Sequence, residues 1–126
     1  MNGWLLAAGV VAFGVAGIHM TAGHKDVVRP LLTGDLAAEP RGALHAVWHM
    51  VTADLVLSAA ALLWLSVADG TAGRALVAWF VAAHFLAYAA VFLAVTLSMG
   101  WSRPLLRLPQ WILLLPVAVL AGAGAA

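Results

Sequence analysis

The 126-residue chain has no cysteine, and only 9% of its residues are charged. The first absence rules out disulfide frameworks, iron-sulfur clusters, thiolate zinc sites and thiol catalysis, so any metal must be held by histidine, carboxylate or methionine. The second rules out a polar shell, because an ordinary soluble domain is about a quarter charged. A net charge of +1 provides no basic field for nucleic acid. Gly34 and Gly42 are isolated and no Lys-Ser or Lys-Thr follows a glycine-rich turn, so a phosphate cradle is missing. Ser58, Ser66, Ser98 and Ser102 lack the GxSxG context of a serine hydrolase.

What is present is apolar: 65% of the residues are hydrophobic. A helix needs roughly 20 such residues to cross a hydrocarbon core. Four segments, about 3–22, 43–67, 73–98 and 105–121, meet or approach that length. The expected fold is all-α, a single transmembrane domain over residues 1–126 forming an up-down four-helix bundle. The opening Met1-Asn2-Gly3-Trp4 lacks the basic stretch of a signal peptide, so the first segment reads as a retained helix. Between the first two segments, Gly23 to Gly42 carries most of the charges, with Pro30 and Pro40 as helix breakers, and reads as an aqueous or interfacial loop. Ala68 to Ala72, around Asp69 and Gly70, and Met99 to Pro104 read as short turns that force successive helices to pack antiparallel.

Lys25, Arg29, Arg41, Arg103 and Arg107 fall on one side of this arrangement and Arg74 on the other, so the positive-inside rule puts both termini outside. Trp4, Trp64 and Trp79 form an outer aromatic belt, and Trp48, Trp101 and Trp111 an inner one. Gly9, Gly14 and Gly17 permit close helix approach, while Pro109 and Pro116 are expected to bend the fourth helix.

Five histidines in so apolar a chain are the informative feature. Counting helix rise puts His19 about 5 Å, His45 about 3 Å and His49 about 9 Å inside the cytoplasmic ends of their helices. His24 begins the adjoining loop. His45 and His49, spaced i and i+4, share one helix face and can meet a third ligand from a neighbour. Such a cluster suits a transition metal or haem through His19, His24, His45 and His49, or contact with a pigment or quinone within a redox assembly. The plainer alternative is interfacial histidine hydrogen-bonded to headgroups or loop carboxylates. Met20, Met50 and Met99 gather at the same end, where they could serve copper but packing accounts for them better.

Asp54 and His84 each fall about 16 Å along antiparallel helices, near the midplane, where an unpaired carboxylate is costly. They are expected to pair, with Tyr88 one turn from His84 joining them. This group serves equally as an interhelical staple or as part of a proton path. Asp54 is turned about 140° from His49, so two separate polar layers are expected.

Gly17-Ile18-His19 with Gly23, Val28-Arg29-Pro30-Leu31-Leu32 and Ala46-Val47-Trp48-His49-Met50-Val51-Thr52 resemble a family of small uncharacterised bacterial membrane proteins. In that family a first-helix His, an Arg-Pro-Leu-Leu-like loop and a Trp-His-x-x-Thr second helix recur. The resemblance covers the first half of the chain, implies four helices and an inner-membrane location, and maps onto His19 and His49. It brings no activity with it. The function expected is a cofactor-holding membrane subunit without its own catalysis, with the bilayer, a larger complex or further copies of the chain as partners. The alternatives are a structural or assembly subunit without a cofactor and a small proton-linked transporter or channel using Asp54 and His84.

Overall fold

The structure, a computed structural model, describes residues 1–68, 70 and 72–126; Asp69 of the first expected turn lies outside the described residues. All regular structure among them is helical. Helix α1 spans Gly3–Ile18, continues as a π-helical stretch His19–Val28 and runs on as α2, Arg29–Thr33. After four residues, 34–37, α3 spans Ala38–Val67 and α4 spans Arg74–Ser98. A short α5, Pro104–Arg107, precedes α6, Gln110–Ala125. Three of these units are long and apolar enough to cross a membrane: Gly3–Thr33, Ala38–Val67 and Arg74–Ser98. Their outward faces carry large apolar side chains, with Leu76 74% exposed and Leu57 69% exposed. A water-soluble surface of that kind would aggregate, so these faces belong in lipid. Helix α6 is equally apolar but has 16 residues.

The long loop expected over Gly23 to Gly42 is not there. Charge alone does not end a helix, and both prolines sit where helices tolerate them. Pro40 occupies the first turn of α3, where its missing N–H would have had no intrahelical acceptor. Pro30 follows the π-helical stretch, in which Arg29 N–H bonds back to His24 O, five residues earlier. Its lost donor therefore falls at the junction between two windings. Arg41 then fixes the tight turn by donating to the carbonyls of Gly34 (2.8 Å) and Leu36 (2.6 Å). At the other end of the chain Pro109 stands before α6 instead of bending it, so the fourth helix runs from Gln110 to Ala125 rather than 105–121, with Pro116 inside it.

The helices alternate in direction, but their neighbours are not those of chain order. Helix α1 packs along both α3 and α6, and α4 packs along α6, whereas α3 and α4 meet at few points despite the short link between them. The lateral order is α3, α1, α6, α4. Asn2 ties one end together. Its side chain caps α1 by accepting from Leu5 N–H (3.1 Å) and donates to Gly124 O (2.9 Å), while its backbone N–H donates to Ser66 O (2.8 Å). Small residues make the approach possible: Ala8, Ala12, Ala59, Ala78 and Ala121 are all fully buried. Gly9 is the tightest point between α1 and α3, where an added Cβ would come within 2.9 Å of the Leu63 backbone nitrogen. Positive φ at Gly73 (79°) and Gly100 (65°) explains glycine at the start of α4 and just after its end.

Gly9 and Gly14 therefore separate packing from propensity. Both Gly→Ala variants gain helix propensity, but only Gly9→Ala must push α1 from α3, since nothing lies within 4 Å of a Cβ at Gly14. Gly9→Ala should be less stable than Gly14→Ala by about 1–3 kcal/mol, measured by unfolding in one detergent. Equal stabilities would show that α1 and α3 do not approach here.

Candidate functional site

Two polar layers are present, but their membership differs from the expected one. At the end where α1 passes into the π-helical stretch, the His19 ring stacks on Trp48 with centroids 3.8 Å apart and planes 14° from parallel. His19 Nε2 lies 3.0 Å from Thr52 Oγ1, whose hydroxyl donates to Trp48 O at 3.0 Å. Gly23 makes room for this assembly, because a Cβ there would lie 2.6 Å from Trp48 Cη2. The π-helical winding carries both His19 and Gly23 on the segment facing α3; such insertions frequently mark functional positions.

His45 and His49 do pair, Nε2 to Nε2 at 3.1 Å, as their i, i+4 spacing predicts. His49 also lies within electrostatic reach of His19. Trp48 and Thr52 form the stripe of α3 that meets His19, and the His45/His49 stripe is turned from it by about 100°. His49 and His24 are exposed. Among the described residues no group of three or more His, Asp or Glu is placed to hold a metal ion. Of the four histidines, His19 stacks on Trp48 and His45 pairs with His49.

The deeper layer forms as expected. His84 Nε2 lies 3.0 Å from Asp54 Oδ2, the His84 and Tyr88 rings are 4.3 Å apart, and the Tyr88 hydroxyl lies in electrostatic reach of the Asp54 carboxylate. This pair spans the seam between α3 and α4, the two long helices that otherwise scarcely touch.

Between the layers lies a cavity of about 590 Å³, lined by all four long helical units and almost wholly apolar. Val51 and Leu55 of α3, Phe92 of α4 and Leu114 of α6 form its body. His19 and Trp48 form part of its wall, which continues past them to Val27, Leu31 and Leu44; Gln110 enters from the start of α6, and Tyr88 links the cavity to the Asp54–His84 pair. Its volume falls in the range of small-molecule sites, which combine apolar walls with a few polar groups. Gln110 Oε1 is buried and has no hydrogen-bond partner. Trp48, Thr52, Gly23 and Gln110 were not among the site residues expected from sequence. The signals for them were the i, i+4 spacing of Trp48 and Thr52 and the lone amide opening an apolar run.

Comparison with known protein families, curated proteins and solved structures finds no match.

The seam pair gives a direct test. A double-mutant cycle on Asp54→Ala and His84→Ala should show a favourable coupling of about 0.6–1.7 kcal/mol in detergent or bicelles, the range for polar contacts between membrane helices. Additive losses would mean that the two side chains do not interact.

Proposed function

We propose that this chain is an integral membrane protein with four spanning helices and both termini outside, which binds a lipophilic ring compound, a quinone or pigment, beside His19. The setting proposed is a redox assembly in the bacterial inner membrane. The observation that carries the reading is the apolar cavity of about 590 Å³ whose wall includes the stacked His19–Trp48 pair. A flat ring can continue that stack, and an apolar tail can lie along Val51, Leu55 and Phe92. Helix α6 counts as the fourth span because it packs along α1 and α4 over its length, about 24 Å at helical rise, although it is shorter than the other three. The orientation rests on the basic side chains of the π-helical stretch, α2, the start of α3 and α5, which outnumber Arg74 at the other end. A metal or haem has less behind it, since His45 and His49 offer two nitrogens one turn apart on an outer face and no third ligand stands beside them among the described residues.

Protein purified gently from membranes should carry an extractable ring compound at about one per chain, seen by absorption and mass spectrometry. Val51→Trp, which fills the cavity with a larger side chain, should remove it without unfolding the bundle. A Soret band would point to haem instead. Retention of the same compound by the Val51→Trp variant would move the site elsewhere.

A second reading has one specific observation behind it: a carboxylate hydrogen-bonded to an imidazole well inside the apolar length of the helices. Such pairs serve proton relays. On that reading Asp54→Asn abolishes proton-coupled flux in proteoliposomes while leaving the bundle assembled.

A further inference from the structure

The hydrogen bonds around His19 suggest an assignment of its ring proton, and that assignment has a chemical consequence for whatever shares the cavity. Thr52 has one hydroxyl proton, and it is donated to the Trp48 carbonyl. Thr52 Oγ1 can then only accept, so the Nε2 it faces is the N–H of the neutral imidazole. In the neutral ring the other nitrogen, Nδ1, is left as a bare acceptor. No residue among those described donates to it, and His19 lines the cavity.

Gln110 stands at the same height. His19 comes fourteen residues after Leu5 on α1, Gln110 fourteen residues before Gly124 on the antiparallel α6, and Leu5 lies against Gly124. Both positions are therefore about 21 Å from that contact at helical rise. The Gln110 amide has a carbonyl oxygen on one side and an NH2 on the other, and a half-turn exchanges them, so it serves a donor or an acceptor equally. It does not discriminate. His19, locked by Thr52, does.

We infer that the cavity selects a ring amphiphile bearing a hydroxyl, such as a quinol or alkylphenol, over the counterpart that carries only an ether or carbonyl oxygen. This rests on the reading of the cavity as a site for a lipophilic ring. A ring hydroxyl donates to His19 Nδ1 and, with the Gln110 amide turned so that its NH2 stands where Oε1 now lies, accepts from that amide. An ether or carbonyl oxygen cannot donate, and beside Nδ1 it sets two acceptors face to face in an apolar surround, where unpaired polar atoms are costly.

The test uses the full chain in lipid nanodiscs with a stable matched pair, para-nonylphenol and its methyl ether para-nonylanisole. Bound compound is quantified by mass spectrometry after subtracting partition into protein-free discs. The phenol should bind about tenfold more tightly than the ether, a difference of about 1.4 kcal/mol. His19→Phe keeps a ring against Trp48 and should bring the ratio close to one while both compounds still bind. Thr52→Val, which keeps the shape but frees the imidazole to carry its proton on either nitrogen, should reduce the ratio and gives an independent readout if His19→Phe does not assemble. Enrichment of both compounds to the same degree in the wild type, or tighter binding of the ether, overturns the selectivity and leaves the cavity reading standing. Enrichment of neither overturns the cavity reading itself.

Discussion

Close backbone approach along α1 is the constraint from which the remaining arrangement follows. In lipid there is no hydrophobic drive between helices, so association depends on contact area between surfaces that fit. Helix α1 offers such surfaces on two sides: Gly9 receives Leu63 of α3, and Leu5 fits against Gly124 of α6. Helix α6 repeats the device with Gly122 against Trp79 of α4. Once these three contacts are made, α3 and α4 are left as the one neighbouring pair without a packed interface, although only a short stretch links them in sequence. The open seam is a result of where the small residues fall.

That seam gives the Asp54–His84 contact its place in the structure. It is a polar bridge between two helices that lack a packed interface, and it stands where the cavity lined by α1, α3, α4 and α6 approaches the deeper layer. Tyr88 belongs to both, since it lines the cavity and rests against the His84 ring. A change in what the cavity holds therefore meets the seam pair through one aromatic side chain. The same geometry explains why a carboxylate persists in an apolar helix: its hydrogen bond to His84 removes most of the cost of burying it, and contacts of this type contribute only modestly to stability.

Much of this was legible in the sequence, and the division follows physical lines. Depth was readable because helical rise is fixed: counting residues put Asp54 level with His84, and the structure pairs them at 3.0 Å. Spacing on one helix was equally readable, as the His45–His49 contact shows. Which face of one helix meets which face of another was not, because that depends on small-residue fit summed over a whole interface. The contacts of His19 with Trp48 and Thr52 were therefore not foreseen. The extension of the first helix through Pro30 was hidden for a different reason: a π-helical winding leaves no composition signal, and charged residues beyond the apolar layer suit a projecting helix as well as a loop.

The polar side chains of the helical segments also rank themselves by how completely they are satisfied. Ser66, Thr21, Thr33 and Ser98 bond back to carbonyls of their own helices, and Asn2 uses donor and acceptor across three helix ends. Asp54 and His84 satisfy each other. Thr96 Oγ1 on α4 is buried without a partner, and the cavity holds two further groups with capacity to spare: the buried Gln110 Oε1 and the second nitrogen of His19. A bundle under selection only for helix association gains nothing from such groups, since a leucine in either place would pack without leaving a polar atom unpaired. Their presence at one height, on two helices that face the same space, is what distinguishes this cavity from a packing defect and makes it the part of the molecule where a ligand has something to recognise.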